Sequence, residues 1–142
     1  ESDAPDDAPA ALIDVSMLRR QAELWSRYLP RVEPFYAVKC NPQPVVVDTF
    51  WRIWQEQGFG GFDCASSVEI DLVKSMGEGS LDRVVFANPC KQASSVKHAR
   101  QEGLRLMTFD NAAELDKIAA LHPDAELVLR VQTDDKLAQC PL

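Results

Sequence analysis

The stretch Pro34-Phe35-Tyr36-Ala37-Val38-Lys39-Cys40-Asn41-Pro42 joins a short apolar run to a lysine and then to a proline-containing segment. The apolar part is rich in aromatic and β-branched residues, which favours a strand. Pro44 then favours the start of a helix whose apolar positions continue to a stop at Gly58. The stretch therefore predicts a strand followed by a helix, with Lys39 where the strand ends.

Four further apolar runs follow this first one, and helical patterns separate them. The five predicted strands are residues 35–38, 59–62, 84–87, 105–108 and 127–131. The predicted helices cover residues 16–29, 44–57, 66–76, 94–102 and 111–121, two of which begin with the capping-box patterns Ser66-x-x-Glu69 and Asn111-x-x-Glu114. Polar residues follow the first four runs at steps of 24, 25 and 22 residues: Lys39, Asp63, Asn88 and Asp110. This regular period indicates a βα repeat.

A βα repeat predicts an α/β fold with parallel strands joined by right-handed helical crossovers. Its commonest closed form is a barrel of about eight units. We therefore expect the N-terminal portion of a TIM-like (β/α)8 barrel, about five units long and incomplete at the C-terminus. An open doubly wound sheet is the alternative, but the first turn lacks a G-x-G-x-x-G fingerprint.

Composition and charge limit the classes of partner. The chain has 142 residues, 46% of them apolar and 26% charged, which is typical of one globular domain. Residues 1–10 carry four acids and no base and are predicted to form a flexible acidic tail, which leaves residues 11–142 as the barrel domain. The remaining 18 acids and 15 bases form no basic stripe, which argues against a nucleic-acid partner. No apolar run approaches the roughly 20 residues that cross a bilayer, so no membrane partner is expected.

The cysteines indicate a reducing compartment. They lie at Cys40, Cys64, Cys90 and Cys140, and none belongs to a C-x-x-C pair, so neither a zinc site nor any other metal site is expected. The chain also lacks the cysteine density of small secreted scaffolds. We therefore expect free thiols and a cytoplasmic protein.

Lys39 is the first candidate for chemistry, since functional groups of βα barrels gather at the carboxyl ends of the strands. Burying an ammonium is costly, and desolvation lowers the pKa of a lysine. A neutral amine in such a pocket can condense with a carbonyl group. The alternative is a lysine whose stem packs on the strand while its charged end reaches solvent.

Five segments in order carry a resemblance to a known family. They are Pro34–Pro42, Gly61-Phe62-Asp63-Cys64-Ala65-Ser66, Phe86-Ala87-Asn88-Pro89-Cys90-Lys91-Gln92, Met107-Thr108-Phe109-Asp110, and Leu127–Val131 with Thr133-Asp134-Asp135. Together they resemble the ornithine decarboxylases, which are fold-type III pyridoxal-phosphate enzymes. The lysine segment is shared loosely with diaminopimelate decarboxylases and alanine racemases. The second and third segments are more specific to ornithine decarboxylases and their close relatives.

The resemblance implies a fold, a cofactor and an activity. The fold would be the alanine-racemase-like barrel, the cofactor pyridoxal 5'-phosphate, and the reaction the decarboxylation of L-ornithine to putrescine in polyamine biosynthesis. The family's enzymes are homodimers. Their phosphate loop, pyridine-contacting acid and C-terminal β domain would lie beyond Leu142, so the 142 residues alone are expected to be a fragment without activity.

The resemblance also implies roles for four residues. Lys39 would hold the cofactor through its amine, and Asp63 would orient the ring and the lysine. Arg130 would be the cation of an acidic network with Asp63 and Glu69, because a planar guanidinium binds carboxylates bidentately. Alternatives remain for three of them: Glu69 as a helix cap, Asp63 as a turn carboxylate, and Arg130 as an ion pair on the barrel rim.

Other functions and residues stay open at this point. A related arginine, lysine or diaminopimelate decarboxylase is one alternative, and a non-catalytic regulatory protein derived from a decarboxylase is another. Retention of Lys39, Asp63 and Arg130 favours an enzyme. Asn88 and Lys91 are interpreted as loop structure. Trp25, Trp51 and Trp54 are expected to pack on the sheet, and neither His98 nor His122 is expected to be catalytic.

Overall fold

Strands and helices alternate along residues 12–132, the part of the chain that the computed structural model describes. The strands are β1 (Phe35–Ala37), β2 (Gly61–Cys64), β3 (Val84–Phe86), β4 (Leu106–Phe109) and β5 (Glu126–Leu129). The helices are α1 (Val15–Tyr28), α2 (Pro44–Gln57), α3 (Ser67–Lys74), α4 (Ala93–Gln101) and α5 (Ala112–Leu121). Two short 3-10 turns, Val38–Cys40 and Ser80–Arg83, lie at strand ends.

All neighbouring strands are parallel, and their order in the sheet is β1-β2-β3-β4-β5. A doubly wound sheet reverses its strand order at a switch point, whereas a barrel adds each strand beside the last. The strictly sequential order therefore confirms the predicted run of five barrel units. The acidic tail at residues 1–10 and the segment Thr133-Asp134-Asp135 lie outside the described residues.

The helices cover one face of the sheet and leave the other open. Phe62, Phe86 and Met107 share the covered face and are almost fully buried in a core that includes residues of the helices. Ala37 and Asp63 are register partners on the opposite face, and both keep part of their surface exposed. In a closed βα barrel this open face would line the interior.

The helix starts follow local sequence signals. Ser66 Oγ accepts a hydrogen bond from the N–H of Glu69, and Asn111 Oδ1 accepts one from the N–H of Glu114, as the two capping-box patterns predict. Helix α2 ends at Gly58, whose φ of 65° is the left-handed conformation that glycine adopts without a steric cost. Strands β1, β3 and β5 end one or two residues earlier than predicted.

The prediction of the second strand at residues 59–62 begins two residues too early. Gly60 has φ of 109°, and a Cβ there would lie 2.4 Å from the Trp54 ring, so this residue lies in the loop that packs against the tryptophan. The strand begins only at Gly61, which is the register partner of Phe35.

The three tryptophans differ in their packing. Trp51 and Trp54 of α2 are buried in the core, as predicted. Trp25 of α1 is 38% exposed, and its indole N–H donates to the Val32 carbonyl at 2.6 Å, so it is only partly packed. Among residues 12–132, no helix combines the length and the apolar character that crossing a bilayer requires.

We expect a polypeptide limited to residues 1–142 to self-associate. Leu127 and Leu129 of β5 lie on the face that the other helices cover, yet they are 38% and 56% exposed, and the opposite face of the sheet is open. Exposed apolar surface beside an unpaired strand edge favours association. Light scattering after gel filtration should show oligomers that bind a hydrophobic dye. A monomer that unfolds sharply and binds no dye would contradict this expectation.

Candidate functional site

Lys39 lies in the single 3-10 turn Val38–Cys40, directly after β1. Val38 is fully buried and fixes the start of the turn, whereas Lys39 is exposed. Within residues 12–132 the Lys39 amine has no hydrogen bond and no carboxylate within 4.0 Å. The prediction that this amine is buried is therefore wrong for the described residues, because Lys39 lies at the edge of the open face of the sheet.

Asp63 lies next to Lys39 across the first pair of strands. It pairs in register with Ala37, two residues before the lysine. Burial raises the pKa of the Asp63 carboxyl, the positive charge of Lys39 opposes that rise, and the charge of Glu69 adds to it, with a net increase above the usual value. The three charges therefore act on one another at the carboxyl end of β2.

Glu69 is a helix cap as well as a neighbour of Asp63. Its Oε2 accepts a hydrogen bond from the Ala65 N–H at 2.7 Å, while its own N–H donates to Ser66 Oγ at 3.3 Å. The capping alternative for Glu69 is thus confirmed. Its carboxylate nevertheless contributes to the pKa of Asp63, so the cap holds a negative charge beside the site.

Arg130 does not join this cluster in the structure. Its Nη2 donates to Asp110 Oδ2 at 2.8 Å, and among the described residues it makes no ion pair with Asp63 or Glu69. Among residues 12–132 Arg130 thus forms the ion pair on the rim, and its network with Asp63 and Glu69 stays a prediction. Asp110 directly follows the adjacent strand β4, whereas β5 lies three strands from β2, about 14 Å at ~4.8 Å per strand.

A buried ion pair beneath the β3–α4 loop was not predicted. The Lys91 side chain is fully buried, and its ammonium lies 3.0 Å from Glu114 Oε1, 3.0 Å from the Asn88 carbonyl and 2.6 Å from the Thr108 carbonyl. Lys117 also contacts Glu114, at 2.5 Å. No local pattern reveals this pair, because Lys91 and Glu114 are 23 residues apart. Lys91 does belong to loop structure, but it anchors that loop in the core.

Both histidines have structural partners. His98 pairs with Asp71 at 2.8 Å, and buried His122 contacts the Leu104 carbonyl at 2.9 Å. Cys40, Cys64 and Cys90 are free thiols, and burial raises the pKa of Cys64 to about 12; Cys140 lies outside the described residues. In residues 12–132 there is no group of three or more His, Cys, Asp or Glu side chains arranged to hold a metal ion.

The residues present fit one end of a pyridoxal cofactor. Lys39 offers an accessible amine with no partner among residues 12–132, and Asp63 supplies a carboxyl whose pKa responds to that amine. The described loops after the strands contain no glycine-rich run that could wrap a phosphate. This part of the chain therefore fits the aldehyde end of the cofactor and supplies no phosphate loop.

The parallel strands follow one another in chain order, so the chain forms a segment of a βα barrel. The Lys39 amine lies at the open face of the sheet, where it could bind a carbonyl compound. The family described as "Pyridoxal-dependent decarboxylase, pyridoxal binding domain" matches residues 15–142. The chain belongs to this family. The resemblance of the sequence motifs is thereby confirmed at the level of the family.

Individual relatives agree with this assignment. An ornithine decarboxylase of Caenorhabditis elegans is 48% identical over 137 residues, which cover 96% of this chain and 31% of the relative. Antizyme inhibitor 2 of Xenopus laevis is 50% identical over 114 residues, covering 80% of this chain and 24% of that protein. The crystal structure of an arginine decarboxylase of Paramecium bursaria Chlorella virus has 36% identity and a TM-score of 0.77, covering 89% of this chain and 33% of the other. The chain thus spans about a third or less of the length of these relatives.

Proposed function

We propose that the protein carrying this chain is a pyridoxal-phosphate-dependent decarboxylase that converts L-ornithine to putrescine and carbon dioxide, in polyamine biosynthesis. The observation that carries the proposal is the accessible Lys39 amine beside Asp63, at the carboxyl ends of adjacent barrel strands. The 48% identity to an ornithine decarboxylase supports the choice of substrate. When bound, the cofactor supplies the electron sink for loss of the carboxyl group.

The residues of the chain have separate tasks in this proposal. Lys39 would hold the aldehyde end of the cofactor through its amine nitrogen. Asp63 places a carboxyl beside Lys39 and orients it, and Glu69 holds a second negative charge nearby through its cap. Arg130 is proposed to act at the cofactor site, where its guanidinium pairs with Asp110 directly after the fourth strand.

A non-catalytic regulatory protein is the second candidate function, because one relative at 50% identity bears the name antizyme inhibitor 2. The presence of Lys39, Asp63 and Glu69 together supports the enzyme. A decarboxylase of arginine, lysine or diaminopimelate would use the same chemistry. The homodimer and the cytoplasmic location stay predictions.

Covalent labelling tests the proposed role of Lys39. The protein expressed from its complete gene is incubated with pyridoxal phosphate, reduced with borohydride and digested, and the label should map to Lys39. The Lys39→Arg variant, treated in parallel, should show no label in that peptide. Labelling of a different lysine while Lys39 stays unmodified would refute the assignment.

Release of carbon dioxide tests the reaction itself. Ornithine, arginine and lysine are supplied separately to the same protein with added cofactor. The proposal expects the highest kcat/KM with ornithine. Labelling at Lys39 without turnover of any of the three would favour the regulatory protein.

A further inference from the structure

We propose that Tyr36 is a positioning residue whose hydroxyl, by donating to the Asn41 carbonyl, fixes the turn that carries Lys39. The hydrogen bond measures 3.2 Å and joins two residues that lie five positions apart, on either side of the lysine. This inference rests on the proposed function of Lys39. It assigns the Tyr36 hydroxyl no contact with cofactor or substrate.

The turn needs such support because it is short. Val38–Cys40 is one 3-10 turn of three residues, and no side chain caps its start at Ala37. Short 3-10 turns have poorer hydrogen-bond geometry than α-helices. Buried Val38 fixes the start of the turn, so the position of Lys39 depends on how firmly the other end is held.

Asn41 holds that other end through two hydrogen bonds. Its carbonyl accepts from Tyr36, and its Oδ1 accepts from the Gln43 N–H at 3.2 Å, just before α2 begins. The first bond ties Asn41 to β1 and the second ties it to the start of α2. The turn is therefore connected by hydrogen bonds to both the strand and the helix.

The Tyr36 ring is itself anchored by aromatic stacking. Its centroid lies 4.4 Å from that of Phe50, and Phe50 lies 5.3 Å from Trp54, both on α2. Tyr36, Phe50 and Trp54 also border a cavity of about 220 Å³ that Trp25 and Phe35 help to line. The ring is therefore held by stacking on Phe50 and borders the cavity, and from this position its hydroxyl reaches Asn41.

The hydroxyl is a hydrogen-bond donor at neutral pH. Burial raises the pKa of the Tyr36 phenol, and the neighbouring Cys40 raises it further, so the proton stays on the oxygen. Removing this oxygen alone would keep the ring and its stacking. It would remove only the hydrogen bond that connects the Tyr36 ring to the turn carrying Lys39.

Tyr36→Phe is the matching experiment, carried out on the protein expressed from its complete gene. The Lys39 nitrogen attacks the aldehyde carbon of pyridoxal phosphate, water leaves as a C=N bond forms, and hydride from borohydride then reduces that bond to a stable amine. Peptide mapping against time gives the labelling rate at Lys39. We expect a rate about three- to tenfold lower in the variant, the change that the loss of one neutral hydrogen bond produces.

Two controls show whether the change in labelling rate is specific to Lys39. Exposed Lys97 of α4, followed in the same digest, should label at an unchanged rate. Ser75→Ala removes a comparable hydroxyl-to-carbonyl bond, from Ser75 to Leu72 at 2.7 Å, and should leave the rate at Lys39 unchanged. Turnover should show the loss in kcat with little change in KM for ornithine.

The outcomes separate this inference from the proposed function. An unchanged labelling rate at Lys39 in Tyr36→Phe, with or without a lower melting temperature, would show that the hydroxyl is structural only and would overturn the inference. Failure of the unsubstituted protein to label at Lys39 would instead overturn the proposed function. A slower rate at Lys39 with Lys97 unchanged supports both.

Discussion

Replacing Lys39 with arginine is expected to reduce ornithine decarboxylation by about a thousandfold or more, the scale on which enzymes lose turnover without their nucleophile. Arginine keeps the positive charge, but its guanidinium stays protonated and offers no free amine. Carbon dioxide release at saturating ornithine and cofactor, with the protein expressed from its complete gene, gives the measurement.

The fold should tolerate this substitution. Lys39 is exposed and makes no hydrogen bond or ion pair within residues 12–132, so its loss leaves no buried partner unsatisfied. Lys97→Arg, at an exposed position of α4, is the matched control and should keep full activity. If Lys39→Arg retained more than about a tenth of the turnover, the amine of Lys39 could not be the group that binds the cofactor.

The alternation of strands and helices was predictable because its signals are local. The capping residues Ser66 and Asn111 make the hydrogen bonds that their sequence patterns predict, and short apolar runs place the strands to within a few residues. The shift of the second strand was not predictable in this way. It depends on Gly60 packing beneath Trp54, a contact that exists only after α2 has docked on the sheet.

In the candidate site too, some features follow from local sequence signals and others depend on contacts formed only in the folded chain. Lys39 and Asp63 follow directly from the ends of consecutive strands, since parallel strands bring their carboxyl ends to one edge. The partner of Arg130 depends on distances across the sheet, which favour Asp110 over the acid predicted from the motif. The Tyr36 hydroxyl bond to Asn41 carries no recognisable pattern, because tyrosine in a strand is usually read only as an apolar residue.

Lys91 shows most clearly what the residue types could not reveal. A lysine in a loop is ordinarily solvated, since burial of an unpaired ammonium costs several kcal/mol. Here Glu114 from α5 supplies the opposite charge, and the carbonyls of Asn88 in the loop and Thr108 in β4 accept the remaining protons of the ammonium. The pair therefore connects the β3–α4 loop, the end of β4 and the start of α5 at the mouth of the barrel.

Glu114 holds its charge in this environment. Burial raises the pKa of its carboxyl, but the hydrogen bonds from Lys117 and Lys91 outweigh that effect, and the net pKa is lowered. A carboxyl whose pKa is lower in the folded state stabilises the fold above its unfolded pKa. That contribution is lost as the pH falls through the folded value. We therefore expect acid to destabilise the unsubstituted protein partly through this group.

Glu114→Ala should destabilise the fold by about 3–5 kcal/mol, because it leaves the buried Lys91 ammonium without its counter-charge. Urea unfolding, followed by the fluorescence of buried Trp51 and Trp54, gives the change at pH 7. Asp48→Ala breaks the exposed pair with Arg52 and should cost only about 0.5 kcal/mol or less.

A double variant separates lost charge from lost packing. Lys91→Met combined with Glu114→Leu removes both charges and keeps comparable volume, so most of the stability should return. The double variant should also lose the part of the acid sensitivity that Glu114 confers, because no carboxyl remains there to be protonated. If Glu114→Ala cost no more than Asp48→Ala, the ion pair would contribute nothing beyond an exposed one. The β3–α4 loop would then be held by its backbone contacts alone.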